Sequence, residues 1–259
     1  MIGEKTPLFQ SGTILTKDML ECIKNYATAE SEHAYIGFSD GLYQGCAIVA
    51  TPEQITVKEG ILIYKERAYY INTPMSVRYM PTNEWMILKF SFMSEETSET
   101  YLTRNVRLSL CRESELGAND IEVCRFKLQA GAALRNQYRD YRDLNTNYDT
   151  VNEIYATWAA YEKRSLSPRI LKAFYAEAIK AAGREPVDMM FLHQIAELKG
   201  NTLNRDTIIL YLHEKLGWQY QEYANVKLYE GLQEVLNTMR NGRSRMPMRE
   251  QRERRIIVD

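Results

Sequence analysis

Hydrophobic and polar positions alternate with two different periods along this 259-residue chain. Between residues 35 and 134, short runs of β-branched and aromatic residues are separated by Gly, Pro, Asn and Asp, which is typical of antiparallel strands. Between residues 166 and 242, apolar residues recur at the spacing of amphipathic helices. We therefore predict an α+β protein, in which an antiparallel β-sandwich or barrel-like domain precedes a small helical bundle.

Residues 1–34 are predicted to form an N-terminal arm and a leading helix. Thr16 is suited to cap this helix because its hydroxyl can accept a hydrogen bond from the first turn, where Asp18 complements the helix dipole. The apolar residues that follow at helical spacing are Met19, Leu20, Ile23 and Tyr26. One amphipathic helix is therefore expected ahead of the β-rich domain, residues 35–134.

The stretch 55–71, ITVKEGILIYKERAYYI, predicts two hairpin turns. The turn segments Lys58-Glu59-Gly60 and Lys65-Glu66-Arg67 separate three apolar runs, which end at Val57, Tyr64 and Ile71. Gly60 is expected to supply the positive φ that tight turns favour. The stretch carries no residue type typical of a catalytic centre, so we interpret it as a scaffold hairpin.

The C-terminal half is predicted to hold a connector and four helices. Residues 135–165 are polar and aromatic, and we expect helical character only after Asp149. The helical domain, 166–242, begins at Ser167-Pro168, where a capping Ser precedes a proline at the first helical position. The glycines in positions suited to left-handed helix ends are Gly183, Gly200, Gly217 and Gly242.

Composition excludes several classes of protein. The net charge of −1 gives no overall basic field for nucleic acid or an anionic membrane. No apolar run is long enough to span a bilayer, and the first ten residues lack the features of a signal peptide. We expect a protein made and folded in the cytosol, with no membrane partner. Its reduced, mostly buried thiols are Cys22, Cys46, Cys111 and Cys124, which form no CxxC pair.

The residue patterns of common catalytic sites are weak in this chain. It contains no glycine-rich phosphate loop and only three histidines. His193 and Glu197 lie four apart on a predicted helix, but without a second pair we interpret them as surface neighbours. Ser11-Gly12 and Ser39-Asp40-Gly41 lack the context of a nucleophile and are expected to form turns. The sequence therefore predicts no catalytic residue, no metal site and no cofactor.

Acidic residues crowd one loop of the β-rich domain, at Glu95, Glu96 and Glu99. A pair of carboxylates can hydrolyse a glycosidic bond. No aromatic sugar platform is evident among these residues, so we interpret them as a solvated surface.

Residues 243–259 form a basic arm with an apolar end. Its arginines suit phosphate or carboxylate groups, which leaves contact with nucleic acid as one interpretation. Acidic residues are interleaved, and the segment Ile256-Ile257-Val258 favours a second one, in which the arm docks on a neighbouring subunit by adding a strand to a sheet edge. A disordered tail is the third.

The order of several motifs resembles a protein family of prophages and phage-tail-like bacteriocins of Gram-positive bacteria. The motifs are LFQSGTILTKDML at 8–20, YIGFSDGLYQGC at 35–46, ITVKEGILIYKERAYYI at 55–71, AGAALRNQYRDY at 130–141 and SLSPRILKAF at 165–174. Relatives tend to have a glycine between the two hairpin strands. Glu66 fills that loop here, which leaves the turn type open.

The resemblance implies a structural, non-enzymatic component of a contractile tail. It would lie in the baseplate or join the baseplate to receptor-binding fibres, in several copies per particle, after assembly in the bacterial cytoplasm. Its partners would be other tail or baseplate subunits and fibre proteins, with nucleic acid an unlikely one. The residues we expect to dock on partners are Leu8, Phe9, Arg252, Arg254, Arg255, Ile256, Ile257 and Val258.

Two other functions stay open at this point. One is a tail protein that binds or hydrolyses cell-wall carbohydrate with its β-rich domain, through Trp85 or Tyr101. The other is a nucleic-acid-binding module that uses the C-terminal arginines.

Overall fold

A computed structural model describes residues 6–241 and confirms the α+β class. The helices are α1 (Lys17–His33), α2 (Pro168–Ala178), α3 (Pro186–Ala196), α4 (Arg205–Leu216) and α5 (Asn225–Arg240). The strands are β1 (Gly41–Gly45), β2 (Ile48–Ala50), β3 (Gln54–Val57), β4 (Gly60–Tyr64), β5 (Arg67–Ile71), β6 (Met75–Arg78), β7 (Trp85–Phe92), β8 (Glu96–Thr97), β9 (Leu102–Thr103), β10 (Val106–Arg112) and β11 (Ile121–Lys127). Two short 3₁₀ turns lie at Glu113–Glu115 and Arg142–Asn145.

The strands form small antiparallel sheets that do not close into a barrel within the described range. Three sheets have three strands each, in the orders β1-β4-β5, β2-β3-β6 and β10-β7-β11, and β8 pairs with β9. Strand β7 is central in its sheet, because it pairs with β10 on one side and with β11 on the other, and it buries Ile87, Leu88 and Phe90. Strand β11 is buried along nearly its whole length.

The turn at 58–60 was predicted to close a hairpin, and that prediction is wrong. Strand β3 belongs to the sheet β2-β3-β6 and β4 to the sheet β1-β4-β5, so the chain crosses from one sheet to another here. Gly60 has no left-handed φ. A Cβ atom at Gly60 would lie 2.5 Å from the backbone nitrogen of Cys46, so close backbone approach is what requires glycine.

The segment after Asp149 was predicted to be helical, and this prediction is also wrong. Residues 150–165, which we call the buried strap, are extended and make isolated β-bridges. Leu42 donates its backbone N–H to Thr157 at 2.8 Å, and Ala159 donates back to Leu42 at 2.7 Å. Arg125 and Asn152 exchange backbone hydrogen bonds at 2.8 and 2.9 Å. A helix would leave these buried groups on β1 and β11 without partners.

The buried strap contributes side chains to two hydrophobic cores. Val151, Ala156 and Trp158 lie in the core of the sheets. Ile154, which points to the other side, lies in the core of the helices α2–α5. The β-rich and helical halves are therefore joined by a segment that belongs to both.

The four helices predicted after residue 165 are confirmed, with their start signals. Ser167 accepts a hydrogen bond from the backbone N–H of Arg169, and Asn204 accepts one from Asp206 at 2.9 Å. The face that α5 buries repeats at helical spacing and consists of Leu228, Tyr229, Leu232, Val235, Leu236 and Met239.

The predicted glycine stops are confirmed in part. Gly217 is left-handed and ends α4, donating its N–H to His213 at 2.9 Å. Gly200 has a positive φ but follows the end of α3 by several residues, and Gly183 is not left-handed. Gly242 lies outside the described residues.

A buried ion pair links α3 to α4. The Asp188 carboxylate is 0% exposed and accepts hydrogen bonds from Lys215 at 3.0 Å, Tyr211 at 2.8 Å and the backbone N–H of Glu185 at 2.7 Å. Since the charge is compensated only by these neighbours, removing one cation leaves an unpaired buried anion.

We predict that Lys215→Met lowers the free energy of unfolding by about 3–5 kcal/mol, because it leaves the Asp188 charge buried and unpaired. The matched control is Lys17→Met, which removes a lysine whose side chain is 86% exposed in its pair with Glu21; it should change stability by less than about 0.5 kcal/mol. Urea denaturation of both variants measures the difference. Equal, small effects would contradict the role of the pair.

A second charge pair fixes the chain between the β-rich half and the buried strap. Arg135 donates two hydrogen bonds to Asp143, at 2.6 and 2.7 Å. The backbone N–H of Arg139 and the hydroxyl of Thr146 also donate to this carboxylate, at 2.9 and 2.8 Å. The hydrogen bonds from Arg135, together with these donors, hold the pKa of Asp143 well below its usual range.

We predict that Asp143→Asn lowers the free energy of unfolding by about 2–3 kcal/mol at neutral pH, because a carboxylate with charged donors is replaced by a neutral amide. The folded-state pKa lies below the unfolded value of about 3.9, so the contribution is full above about pH 4 and disappears as pH falls through the folded pKa. Urea midpoints from pH 7 down to pH 2 test the loss, which begins below about pH 4. The control is Asp18→Asn, at the exposed start of α1. It should change the free energy of unfolding much less than Asp143→Asn does.

Candidate docking surfaces

The N-terminal arm, Thr6–Thr16, exposes apolar side chains around a turn. Leu8 is 74% exposed and Phe9 is 61% exposed, so the structure places both predicted docking residues at the surface. Ile14 and Leu15 join them at 83% and 54%. Sequence reasoning did not select these two, although they are the second apolar pair of an uncharged arm.

The turn in this arm lies at Ser11-Gly12, where the sequence predicted it. Thr13 donates its backbone N–H to Gln10 at 3.0 Å, and Gln10 donates its N–H to the Thr13 hydroxyl at 3.1 Å. Gly12 supplies a positive φ of 87°. The turn brings the two apolar pairs of the arm towards each other.

Helix α1 continues this exposed surface. Thr16 caps it as predicted, by accepting a hydrogen bond from the backbone N–H of Met19 at 3.3 Å. Leu20, Ile23 and Tyr26, predicted as the apolar side of an amphipathic helix, are exposed to solvent. The helix contacts the body of the protein mainly at β5. Much of its apolar side is thus available to a partner.

The other predicted docking residues belong to the C-terminal arm. Arg252, Arg254, Arg255, Ile256, Ile257 and Val258 lie outside the described residues.

A hairpin beside α1 confirms the second predicted turn. Strands β4 and β5 pair from Gly60–Ile71 to Tyr64–Arg67, so Lys65 and Glu66 form a two-residue loop. Their φ values are 51° and 59°, which is the pattern of a type I′ turn and settles the turn type. Asn and Gly are the residues that this turn prefers, so the loop carries strain.

The hairpin loop is held by the preceding SDG motif. Asp40 accepts a hydrogen bond from the backbone N–H of Lys65 at 2.6 Å, and Gly37 donates its N–H to Glu66 at 2.9 Å. Ser39 bonds to the backbone of Ala160 in the buried strap. The turn predicted at Ser39-Asp40-Gly41 is therefore wrong: Ser39 and Asp40 form a bend that leads into β1 at Gly41, and the motif positions the hairpin loop.

The acidic loop does not have the arrangement of a glycosidase pair. Glu95 is ion-paired with Arg104 at 2.6 Å and with Arg67 at 3.6 Å. The hydrogen bond from Arg104 lowers the pKa of Glu95, which is the wrong direction for a general acid at neutral pH.

Trp85 and Tyr101 do not form one sugar platform. Trp85 is half-buried at the start of β7, whereas Tyr101 is exposed next to β9, beyond the other end of that strand. Strand β7 alone spans roughly 25 Å at the usual rise per residue.

The histidine candidate lies at the surface, and most of the cysteine candidates are buried. His193 on α3 and Glu197 at its C-cap are exposed, and the described residues contain no group of three potential metal ligands. Cys46, Cys111 and Cys124 are buried, as expected, and Cys22 is half-buried. Burial raises the pKa of Cys46 to about 12, so its thiol is protonated and unreactive at neutral pH.

A cavity of about 370 Å³ lies where the two halves meet, and its lining residues Lys163 and Arg205 are ion-paired, although the buried Arg205 Nε makes no hydrogen bond. Lys163 pairs with Asp206 at 3.0 Å and with Glu222 at 2.7 Å. Arg205 donates to the backbone of Arg164 and to Asn225, both at 2.8 Å. We interpret this cluster as a structural joint.

None of the helices between residues 6 and 241 has the length and hydrophobicity that a bilayer crossing demands.

Comparisons with known proteins give distant structural likenesses only. No family model matches the chain, and no curated protein sequence matches it. It is similar to a crystal structure of TssK, with 10% identity and a TM-score of 0.41, over 93% of this chain and 69% of that one. Scores of this size at such low identity assign the chain to no family.

Two further likenesses are to chains from type VI secretion baseplates. A chain in the TssK-TssF-TssG baseplate subcomplex, determined by cryo-electron microscopy, has 7% identity and a TM-score of 0.39, over 92% of this chain and 100% of that one. A chain in the baseplate complex of the type VI secretion system has 9% identity and a TM-score of 0.30, over 91% and 100%.

We predict that Lys65→Asn raises the free energy of unfolding by about 0.5–1 kcal/mol, because Asn tolerates the left-handed φ. The hydrogen bond from the backbone N–H of residue 65 to Asp40 is kept in this variant. The control is Lys58→Asn in the crossing between β3 and β4, where φ is not positive; it should have little effect. Urea midpoints with unchanged slopes measure both. A destabilised Lys65→Asn variant would contradict the type I′ assignment.

Proposed function

We propose that this protein is a structural component of a contractile phage tail or tail-like bacteriocin particle, in the baseplate or as a baseplate-to-fibre adaptor. It acts by protein–protein docking and performs no turnover. The ordered motifs that resemble the prophage and bacteriocin family support this proposal. Within it, the protein is assembled in the bacterial cytoplasm and then becomes part of the particle, in several copies.

The exposed N-terminal arm is the observation that carries the proposal. Leu8, Phe9, Ile14 and Leu15 are all more than half exposed in an arm without a charged side chain. Burying one such side chain contributes roughly 1.5–3 kcal/mol, so the arm can supply substantial binding free energy once a partner covers it. An uncovered cluster of this kind favours aggregation, and a permanent neighbour removes that cost.

The C-terminal arm is proposed as the second docking element. Ile256, Ile257 and Val258 would enter an apolar site on a neighbour, and Arg252, Arg254 and Arg255 would bind carboxylates around it. The neighbours are other tail or baseplate subunits and fibre proteins.

The proposal is tested with two variants, Leu8→Asp/Phe9→Asp and a deletion of 243–259, each supplied to a particle-producing strain that lacks the native gene. Both should fold as monomers with melting temperatures near the wild-type value; Leu8 and Phe9 are exposed and belong to neither hydrophobic core. Both should be absent from purified particles, or reduced at least tenfold.

The matched control is Met80→Asp, which places a carboxylate on an exposed methionine that belongs to neither arm in the sequence. It should enter particles normally. Normal particles with either arm variant would contradict that arm's role. A purified protein that converts a small molecule or cleaves a glycan, and loses this activity on one polar substitution, would refute the structural role altogether.

A further inference from the structure

Helix α3 has an outer side that lacks the usual charged residues. Its sequence, Pro186–Ala196, contains no lysine, arginine or glutamate, and its one aspartate, Asp188, is buried. Two apolar side chains of this helix face solvent instead, since Met189 is 50% exposed and Met190 is 71% exposed. Surface helices normally carry charged and polar residues on this side.

The other helices of the bundle follow the usual rule. Their exposed charged side chains include Lys172 on α2, Glu214 on α4, and Lys227 and Glu230 on α5. Methionine is unbranched and polarisable, so it adapts to apolar partners of irregular shape. The surface formed by Met189 and Met190, which we call the methionine face, is therefore better suited to a contact than to solvent.

The described part of the chain ends beside the start of this helix. Gly183, in the loop before α3, donates its backbone N–H to Met239 in the last turn of α5 at 3.1 Å. Arg240 forms an ion pair with Glu177 near the end of α2. Helix α5 therefore delivers the C-terminal arm, 243–259, at the corner where α2 leads into α3.

The apolar end of the arm can reach the methionine face of its own chain. Met190 lies within roughly 20 Å of Met239, because Gly183 contacts the end of α5 and is close to the start of α3. Residues 242–255 can span at most about 50 Å, so Ile256-Ile257-Val258 have ample length to return. Covalent attachment raises the effective concentration of such a segment to the order of mM, so a weak contact is still occupied.

We infer that, in the free protein, the apolar end of the C-terminal arm, Ile256-Ile257-Val258, binds the methionine face of α3 in the same chain. This segment is the one run of three large aliphatic residues in the arm, and the helix that it contacts has an apolar exposed surface. The inference rests on the proposed docking role of the arm, and it adds where these residues lie before a neighbouring subunit binds them.

The test is the rate at which hydrogen peroxide oxidises the exposed methionines, measured by peptide mass spectrometry. In the full chain, Met189 and Met190 should be oxidised at least threefold more slowly than in a chain lacking 243–259, because the bound segment covers their sulfur atoms. Met80 is 78% exposed and should be oxidised at the same rate in both chains. Ile256→Asp/Ile257→Asp in the full chain should remove the protection as the deletion does, and it decides the question if the truncated chain does not fold.

A variant of the acceptor surface gives the reciprocal measurement. Met189→Gln/Met190→Gln replaces two exposed apolar side chains by neutral polar ones of similar length. It should speed tryptic cleavage after Arg255 at least threefold, because the released end of the arm becomes accessible to the protease. Cleavage after Arg243, at the start of the arm, should change little. The matched control is Met80→Gln, which should leave both cleavage rates unchanged.

Equal oxidation of Met189 and Met190 in the full and truncated chains would overturn the inference, and so would cleavage after Arg255 that Met189→Gln/Met190→Gln leaves unchanged. Protection that survives Ile256→Asp/Ile257→Asp would also overturn it, since another part of the chain then covers the face. Protection within one chain is independent of protein concentration. Protection that grows with concentration would assign the segment to a second copy and contradict the contact within one chain.

The outcome is separable from that of the proposed function. If particles require the C-terminal arm while the two methionines are never protected, the docking function stands and only this contact is wrong. If the methionines are protected while particles form normally without the arm, the contact stands and the role of the arm in assembly is wrong.

Discussion

The structure depends on the pairing of the buried strap with β1 and β11. Backbone groups in this segment are deeply buried, and an unpaired buried amide costs as much as a lost hydrogen bond. Exchange with Leu42 and Arg125 satisfies them. Gly41 is part of this constraint, because a Cβ atom there would lie 2.6 Å from the backbone nitrogen of Ala159.

Buried charges extend the same joint into the helical half. Glu153 in the strap accepts hydrogen bonds from Arg169 at 2.8 Å and from the capping Ser167 at 2.9 Å. The carboxylate is compensated at the start of α2, so the position of the first helix is tied to that of the strap. Two cores that share one segment cannot shift independently without leaving such groups unpaired.

With both cores complete, the arm and α1 are left outside them. They contribute little to the stability of the monomer, and their apolar surface is available for association. An arm that is ordered on binding loses conformational entropy, which lowers the affinity gained per unit of buried area.

The sequence by itself determined the α+β class, most strands, the four C-terminal helices and the caps at Thr16, Ser167 and Gly217. These features depend on residues close together along the chain, so their periodicity and capping chemistry are local. The exposed arm residues Leu8 and Phe9 were also within reach of sequence, because nothing near them continued a strand or helix pattern.

Apart from the β4–β5 hairpin, only the tertiary structure decided which strands pair, why Gly60 is glycine, and that the segment after Asp149 is extended. Strand partners and close backbone approaches join residues that are distant in sequence, and one chain carries no local signal for them. The polar and aromatic residues of the strap have side chains compatible with either helix or strand, and the demand of β1 and β11 for partners decides between the two. The position of β5 at the edge of its sheet was also decided by the tertiary structure, because an edge is defined only by the order of the strands.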